Sequence, residues 1–408
     1  MELLLKSATV HSQSSIQITG SKSETNRLLL LQALYPNITL ENTSNSDDSE
    51  VMTKALLGND SVVDIHHAGT AMRFLTAYFS VQENREVVLT GSPRMKERPI
   101  KILVDALRQL GATIEYVEND GFPPIKISGK KLLNNKVSLS ANVSSQYISA
   151  LLLIAPKLEN GLELTLEGDI TSVPYIKMTL ALLNEIGVAT SFENNIIKVN
   201  PKHTIHNSQL TIESDWSSAS YYYSIVALSK IGTQITLSSY KENSLQGDSA
   251  LAEIYKDFGV ATEFSNHTVT LRKIDNCKLP VINCQLNNAP DIAQTIAVTC
   301  FGLGIACHLT GLHTLKIKET DRLEALKTEL SKLGANISVT NDSLTLETSN
   351  HFNPEVKIAT YNDHRMAMAF APLALKTPII IENAEVVSKS YPTFWEDLKA
   401  IGFQISAI

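Results

Sequence analysis

The sequence of 408 residues has few cysteines, few aromatic residues and no apolar run long enough to cross a membrane. Its 4 cysteines include no C-x-x-C pair, and no histidine is placed to complete a zinc site with them, so we expect reduced and mostly buried thiols. Neither H-E-x-x-H nor G-x-G-x-x-G occurs, which argues against a zinc protease and a dinucleotide-binding fold. The apolar run of residues 3–5 is too short for a signal peptide or an anchor, so we expect a cytoplasmic protein.

The charge balance argues against general binding to nucleic acids or acidic membranes. Lys and Arg number 35 against 42 Asp and Glu, which gives a net charge of −7, and aromatic residues make up only 6%. A small anionic ligand remains possible, since charges on a distant surface are screened within about 8 Å at physiological salt. With 43% hydrophobic and 19% charged residues, the chain is long enough for two sizeable cores. We therefore expect a two-domain soluble protein.

An internal repeat of about seventy residues runs through the chain, in which a helix pattern ends in an apolar residue and a glycine before a short strand. Repeats of this length indicate compact α/β units, and six copies suggest three units per domain. The first copy, at Gly58, has the weakest pattern. The glycines that mark the copies are Gly58, Gly111, Gly187, Gly259, Gly334 and Gly402.

Each copy also contains a second helix pattern that is apolar along most of its length, which predicts a helix inside a core. Ser, Thr and Asp at the openings of these helices are good N-caps. Capping does not explain the cations near several of these openings, because the helix dipole disfavours positive charge at a helix N-terminus. A bound anion would interact favourably with these cations and with the N-terminus itself. The predicted central helices are residues 26–34, 71–79, 147–155, 219–228, 292–303 and 366–375.

Two further loops concentrate charge. Residues 316–322 (KIKETDR) precede a helix pattern for which Asp321 and Glu324 predict a capping box, and residues 91–100 (GSPRMKERPI) carry cations at alternate positions. Residues 316–322 taken alone could form a solvated loop. In residues 91–100 the cations either pair with Glu97 and surface acids or bind carboxylate and phosphate oxygens bidentately. One ligand with several negative groups would account for all of these cations.

Six motifs, in order, resemble the 5-enolpyruvylshikimate-3-phosphate synthase family. The resemblance extends from near Gly20 to Lys389, and six motifs together are far more specific than any one of them. They are GSKSETNR at residues 20–27, AGTAMR at 68–73, GSPRMKERPI at 91–100, SSQ at 144–146, KETDRL at 318–323 and YNDHRMAM at 361–368.

The resemblance implies a two-domain inside-out α/β barrel, the enolpyruvyl transferase fold, with three pseudo-repeats per domain and central helices whose N-termini face an interdomain cleft. The chain of this family crosses twice between the domains. We therefore expect one domain from residues 1–19 and 215–408 and another from residues 20–214.

The resemblance also implies transfer of the enolpyruvyl group of phosphoenolpyruvate to the 5-hydroxyl of shikimate 3-phosphate, on the route to chorismate, by a monomer that needs no metal and no cofactor. Asp291 would be the base and Glu319 the acid, with Lys22 and His364 as further catalytic candidates. The implied shikimate 3-phosphate contacts are Lys22, Ser23, Arg27, Ser144, Ser145, Gln146, Ser172, Asp291 and Lys318. The implied phosphoenolpyruvate contacts are Lys22, Gly69, Arg94, Gln146, Arg322, Arg365 and Lys389.

The sequence departs from the family pattern at a few positions. Phe74 replaces a common Pro, which leaves the affinity for the family's inhibitor glyphosate open, and His67, Val173 and Thr314 replace other frequent residues. Two alternatives stay open. The first is transfer to UDP-N-acetylglucosamine, although residues 91–100 lack the reactive Cys of that sister enzyme. The second is a non-catalytic anion-binding homologue, which would not need both an acid and a base.

Overall fold

The computed structural model describes residues 1–6, 9–140, 144–168, 170 and 173–408. Helices and short strands alternate along the chain, with 3₁₀ turns at Ala155–Lys157, Gly247–Ala250, Pro290–Ile292, His313–Ile317, Ala371–Leu375 and Ala384–Lys389. The α-helices are α1 Lys22–Leu34, α2 Asp47–Leu57, α3 Gly69–Ser80, α4 Pro93–Lys96, α5 Lys101–Gln109, α6 Ser145–Ile154, α7 Val173–Glu185, α8 Trp216–Leu228, α9 Leu251–Ile254, α10 Ala293–Leu303, α11 Arg322–Lys332, α12 His364–Phe370 and α13 Phe394–Ala400.

The strands are three to six residues long, as is usual for small α/β units. They are β1 Leu3–Lys6, β2 Gln13–Ile16, β3 Ile38–Glu41, β4 Val62–Asp64, β5 Glu86–Thr90, β6 Thr113–Tyr116, β7 Ile125–Ser128, β8 Lys136–Ser140, β9 Leu162–Glu167, β10 Thr190–Glu193, β11 Ile196–Val199, β12 Ser208–Thr211, β13 Gln234–Ser238, β14 Val260–Ser265, β15 Thr268–Lys273, β16 Val281–Gln285, β17 Ala306–Thr310, β18 Ile337–Val339, β19 Ser343–Leu346, β20 Val356–Ile358, β21 Ile379–Ile381 and β22 Gln404–Ala407.

The chain forms two units, which we call the terminal unit (Met1–Thr19 with Glu213–Ile408) and the middle unit (Gly20–Ile212). Each has its own hydrophobic core. In the terminal unit the sheets have the orders β20-β21-β1-β22, β14-β15-β13-β2 and β16-β17-β19-β18. In the middle unit they are β10-β11-β9-β8, β4-β5-β7-β6 and the pair β12-β3.

All the four-stranded sheets repeat one pairing pattern. Each has one parallel pair at one end, and its other two pairings are antiparallel. In one sheet, for example, β4 is parallel to β5 (Val62 opposite Val88), while β5 with β7 and β7 with β6 are antiparallel. Since a parallel pair needs a crossover, each sheet brings a helix with it. The predicted α/β repeat with three copies per unit is confirmed, with a two-stranded sheet in one copy.

The predicted central helices are also confirmed. α1, α3 and α6 pack on one another in the middle unit. In the terminal unit α10 packs against both α8 and α12, and α8 packs against the 3₁₀ turn Ala371–Leu375 that follows α12. Their side chains are buried nearly all round, which is why the sequence shows no polar face. The last of them changes to a 3₁₀ turn at Ala371–Leu375, where Pro372 removes a backbone donor.

The repeated glycines end the outer helices as predicted, with one exception. Gly111, Gly187, Gly259, Gly334 and Gly402 all have positive φ, the conformation in which a residue without a Cβ ends a helix at little cost. Gly58, the weakest copy, has a φ of −80° and follows α2 without a left-handed turn. The helix before Gly259 is shorter than the repeat implies, since α9 ends at Ile254.

The charged stretch before Gly334 has the expected cap. The Asp321 carboxylate accepts hydrogen bonds from the amides of Leu323 and Glu324, both at 3.2 Å, and α11 starts at Arg322. Cys300 and Cys307 are buried and Cys277 and Cys284 half-buried, and all are free thiols, as predicted. No helix in the described part of the chain is both long and apolar enough to span a bilayer.

Candidate functional site

Asp291 lies in the 3₁₀ turn Pro290–Ile292 that opens α10, with its carboxylate almost fully buried. Arg322 Nη1 donates to its Oδ1 at 2.9 Å, Lys318 Nζ lies 3.3 Å from the same atom, and Arg365 Nη2 lies 3.4 Å from Oδ2. Burial by itself would raise the pKa of Asp291, but Lys318, Arg365 and Arg322 hold it well below its usual range. The carboxylate is therefore ionised, and its proton affinity depends on how close these cations are.

Arg322 connects three carboxylates from the first turn of α11. Its Nε donates to Asp363 at 2.7 Å, its Nη2 to Glu319 at 2.8 Å and its Nη1 to Asp291, while its side chain is only 2% exposed. Burial opposes its charge, yet Asp363, Glu319 and Asp291 raise the pKa of Arg322 further above its ordinary value. The predicted acid and the predicted base thus contact the same guanidinium. We call Asp291, Glu319, Arg322, Asp363 and Arg365 the carboxylate–arginine cluster.

The start of α12 supplies the next predicted residues. Asp363 caps the helix by accepting from the amide of Arg365 at 2.9 Å, and His364 is buried with Nδ1 3.9 Å from Asp363 Oδ1. The Arg365 guanidinium donates to the backbone oxygen of Asp291 and to Ser217 Oγ, both at 3.2 Å. Lys389, at the end of a 3₁₀ turn, donates to the backbone oxygen of Asn362 at 2.6 Å. Elements distant in sequence thus bring Arg365 beside Asp291 and Lys389 beside the turn that precedes α12.

Asp248 is a buried carboxylate of the same region that the sequence did not indicate. It accepts a short hydrogen bond from Ser217 Oγ, the hydroxyl that also accepts from Arg365. Burial and then the charge of Asp291 raise the pKa of Asp248 to about 6, against the opposing effect of Arg365. It therefore changes protonation state near neutral pH, unlike Asp291.

In the middle unit, the predicted residues lie at the N-terminal ends of the central helices. Lys22, in the first turn of α1, has Nζ 3.4 Å from Asp48 Oδ2, and His67 Nε2 lies 3.9 Å from the other oxygen of Asp48. The side-chain amide of Gln146, in the first turn of α6, donates to Thr70 Oγ1 at 3.1 Å and so joins α6 to the start of α3.

The other predicted contact serines that the structure describes in this unit also lie at helix starts. Ser144 caps α6 by accepting from the amide of Gln146, Ser145 is the first residue of that helix, and Ser23 lies in the first turn of α1. Hydroxyls and helix N-termini are suitable groups for binding an anion. Ser172, a predicted contact, lies outside the described residues.

Arg27 is buried among polar partners rather than exposed. Its guanidinium donates to Thr179 Oγ1 at 2.8 Å, to the backbone oxygen of Ser23 at 2.7 Å and to Ser149 Oγ at 3.0 Å. It also lies 5.4 Å from the ring of Phe74, a cation–π contact. Burial lowers the pKa of Arg27 to about 10. Phe74, which departs from the family pattern, is therefore a core residue that packs on this arginine.

The cations of residues 91–100 have different environments. Arg94 is 59% exposed and pairs with Glu97 at 2.9 Å, and Lys96 pairs with Glu118 at 2.7 Å. Arg98 is half-buried, has no ion pair with any described residue, and lies against Gly69: a Cβ at Gly69 would be 2.5 Å from Arg98 Nη1. The surface-pairing alternative thus fits Arg94 and Lys96, and only Arg98 approaches the predicted glycine.

Arg73 holds this loop against α3. Its guanidinium donates to the backbone oxygens of Gly69 at 3.0 Å and Pro99 at 3.4 Å, and Tyr147 also donates to Pro99, at 2.6 Å. Burial, and after it the charge of Arg98, lower the pKa of Arg73 to about 10. This arginine therefore keeps the start of α3 and the backbone before α5 together, which leaves Arg98 beside Gly69.

The sequence reasoning missed Asp48, Asp248, Asp363 and Arg98 as members of these groups. Asp363 and Arg98 belong to two of the six motifs. Glu97 lies three residues after Arg94, where it can pair with that arginine across one helical turn, and this signal distinguishes Arg94 from Arg98. Asp48 and Asp248 stand in ordinary polar stretches with no such signal. Thr314, which also departs from the family pattern, lies in the 3₁₀ turn His313–Ile317, and its hydroxyl is buried.

Known structures identify the fold. An EPSP synthase from Acinetobacter baumannii superposes with a TM-score of 0.81 and 21% identity, each chain covered over its whole length. The enolpyruvyl transferase NikO from Streptomyces tendae gives a TM-score of 0.76 at 13% identity, covering 99% of this chain and 98% of that one. The protein therefore has the enolpyruvyl transferase fold expected from the sequence.

Sequence similarity then identifies the family within that fold. The family model of EPSP synthase (3-phosphoshikimate 1-carboxyvinyltransferase) matches residues 55–398. A 3-phosphoshikimate 1-carboxyvinyltransferase of Bacteroides fragilis is 48% identical over 406 residues, which is 98% of each chain. This chain belongs to the EPSP synthase family.

Proposed function

We propose that this enzyme transfers the enolpyruvyl group of phosphoenolpyruvate to the 5-hydroxyl of shikimate 3-phosphate and releases phosphate, a step on the route to chorismate. The observation that carries the proposal is that an acid and a base candidate, Glu319 and Asp291, contact one buried arginine in a chain of this family. A protein that only binds anions would not need this arrangement.

The reaction begins with addition. The 5-hydroxyl oxygen attacks C2 of phosphoenolpyruvate while Asp291 accepts the hydroxyl proton and Glu319 donates a proton to the methylene carbon. In the elimination step, the Glu319 carboxylate takes back a proton from that carbon of the tetrahedral intermediate while the bond between C2 and the phosphate oxygen breaks. The phosphate leaves with the proton held by Asp291, and the vinyl group of the product is restored. Atoms and charge balance without an oxidant or a cofactor.

The ion pairs of Asp291 give a physical reason for the order of events. In the free protein, Lys318, Arg365 and Arg322 stabilise the charged carboxylate and make it a weak base. When substrate phosphate and carboxylate groups attract Lys318 and Arg365, the proton affinity of Asp291 rises. Asp291 thus becomes an effective base only with both substrates bound, and His364 and Lys22 remain secondary candidates for proton transfer.

The binding roles are assigned by the same reasoning. We propose that Lys22, Ser23, Arg27, Ser144, Ser145, Gln146, Ser172, Asp291 and Lys318 bind shikimate 3-phosphate, and that Lys22, Gly69, Arg94, Gln146, Arg322, Arg365 and Lys389 bind phosphoenolpyruvate. To the second set we add Arg98, because it approaches Gly69 without an ion pair among the described residues. Each charge-assisted hydrogen bond to a substrate oxygen contributes about 1.5–3 kcal/mol.

We also propose that the two units are the two domains of a cytoplasmic monomer that acts on small anionic substrates and binds neither nucleic acid nor membranes. The net charge of −7 supports the last point. Sedimentation velocity tests the monomer directly, and a dimer at micromolar concentration would contradict it.

The decisive experiment measures phosphate release from phosphoenolpyruvate with shikimate 3-phosphate or UDP-N-acetylglucosamine as acceptor. We expect release with shikimate 3-phosphate only, and a loss of kcat of about 10²–10⁴-fold in Asp291→Asn. Asp275→Asn, an exposed Asp of the same unit paired with Lys278, is the matched control. Release with the nucleotide sugar would reassign the acceptor, and release with neither, despite binding, would indicate a non-catalytic homologue.

A further inference from the structure

The turn between β20 and α12 has an unfavourable backbone conformation. Tyr361 and Asn362 have φ values of 53° and 59°, and the amide of Asp363 donates to the backbone oxygen of Thr360 at 2.8 Å to close the turn. Two consecutive residues with side chains seldom adopt positive φ, and a bulky residue such as Tyr least of all. A turn of this kind persists only if surrounding contacts hold it.

Glu329 of α11 provides those contacts. Its carboxylate, which is fully buried, accepts hydrogen bonds from the Tyr361 hydroxyl at 2.6 Å and from the amide of Ala359 at 3.1 Å. Lys332 Nζ donates to both of its oxygens, at 2.8 and 2.7 Å. The carboxylate therefore fixes the chain on the N-terminal side of Asn362 to the helix.

The same helix holds the other side of the turn. Arg322, two helical turns before Glu329 and on the same face, binds the carboxylate of Asp363. The turn in between determines where two cations lie, since Arg365 follows it in α12 and Lys389 donates to the backbone oxygen of Asn362. A change in the turn would move both.

We propose that Glu329 is a positioning residue, which holds the left-handed turn at Tyr361 and Asn362 and so places Arg365 and Lys389 for anion binding. It touches neither substrate nor reacting atoms. The kinetic part of this inference rests on the proposed function, whereas the structural part does not.

Two variants test it, Glu329→Gln and Tyr361→Phe. We expect the KM for phosphoenolpyruvate to rise about tenfold in each, with kcat changed less than about threefold, since misplaced cations weaken binding before they affect chemistry. In the ligand-free protein, hydrogen–deuterium exchange at the amides of Asp363 and Arg365 should become at least about tenfold faster. Tyr361→Phe removes one hydroxyl only, so it remains informative if Glu329→Gln folds poorly.

Glu324→Gln is the matched control, because it removes an exposed carboxylate of the same helix that pairs with Lys327 at 3.6 Å. It should change neither exchange at the turn nor KM. Unchanged hydrogen–deuterium exchange in both test variants would overturn the inference. A fall in kcat at constant KM would also overturn it, because that result indicates only that a smaller fraction of the enzyme is folded. If the wild type transfers no enolpyruvyl group, the proposed function fails, while exchange in the free protein still decides whether Glu329 holds the turn.

Discussion

Replacing Asp248 by Asn is expected to stabilise the terminal unit at neutral pH, by an amount that disappears in acid. The carboxylate is buried beside Asp291, and its pKa rises from an ordinary value of 3.8 to about 6. Because a difference of one in pKa corresponds to about 1.4 kcal/mol, the ionised form destabilises the folded state by about 3 kcal/mol. Asn keeps an oxygen that can accept from Ser217 and carries no charge to bury.

The sign of the pH dependence follows from the raised pKa. Below about pH 3.8 the carboxyl is protonated in both the folded and the unfolded chain, so the group costs nothing. Between there and about pH 6 the unfolded chain loses the proton first, and the folded state loses stability as pH rises. Above about pH 6 the full cost is present, so the gain in Asp248→Asn should be near zero at about pH 4 and about 3 kcal/mol at about pH 7.5.

Urea unfolding followed by tryptophan fluorescence measures this gain in the relevant unit. The chain has 2 tryptophans, Trp216 and Trp395, and both are buried in the terminal unit, so the signal reports that unit. The free energy of unfolding at each pH comes from linear extrapolation. The difference between variant and wild type removes the contributions of all other titrating groups.

An exposed carboxylate provides a control of opposite sign. The hydrogen bond from Lys278 lowers the pKa of Asp275, so Asp275→Asn should lose a little stability at neutral pH and none in strong acid. If Asp248→Asn changes the unfolding free energy equally at about pH 4 and pH 7.5, or destabilises the protein at the higher pH, the reasoning about Asp248 is wrong.

Four further substitutions test the middle unit. Gly69→Ala should raise the KM for phosphoenolpyruvate about tenfold with little change in melting temperature, since the new Cβ, 2.5 Å from Nη1, displaces only the flexible end of Arg98. Arg98→Ala should raise that KM about tenfold to a hundredfold and Arg94→Ala less than about fivefold. A larger effect at Arg94 in steady-state kinetics would contradict the addition of Arg98 to the phosphoenolpyruvate contacts. Phe74→Ala should lower the free energy of unfolding by about 3–5 kcal/mol, because the ring is wholly buried against Arg27. Urea unfolding followed by circular dichroism measures this loss. A loss below about 1 kcal/mol would show that neighbouring side chains move in and fill the cavity left by the ring.

Much of the fold could be predicted because its determinants are local. An apolar stripe followed by a left-handed glycine marks the end of every copy except the first, at Gly58. Asp215, Asp321 and Asp363 cap helices by accepting hydrogen bonds from amides that lie two or three residues ahead. Hydrophobic periodicity and capping involve residues only a few positions apart, so both can be recognised in a short stretch of sequence. The short helix α9 shows the limit of prediction from the sequence. The pattern before Gly259 correctly marks the end of the repeat, but it does not indicate how many of its residues are helical.

The pairing of the site residues could not be predicted in the same way. The proposed cationic contacts can all be found in the sequence, and Glu97, three residues after Arg94, indicates the pairing of those two residues. Nothing local indicates that Arg98 lies against Gly69. Asp248 contacts Ser217 only because a 3₁₀ turn and the start of α8 meet in the folded unit. Long-range contacts of this kind are set by packing, which a single sequence does not reveal.

The burial of the arginines suggests a division of labour among the cations. Arg27, Arg73 and Arg322 are almost wholly buried, and their guanidinium groups donate to protein oxygens. A substrate oxygen that binds Arg27 or Arg322 must be added to these partners, because a lost hydrogen bond would leave a buried acceptor without a donor. Lys22, Lys318, Arg365 and Arg98 are partly exposed and can turn toward a substrate anion at a smaller loss. The buried arginines therefore fix the geometry of the carboxylates and loops where the substrates bind, and the partly exposed cations adjust to the charge of the substrates.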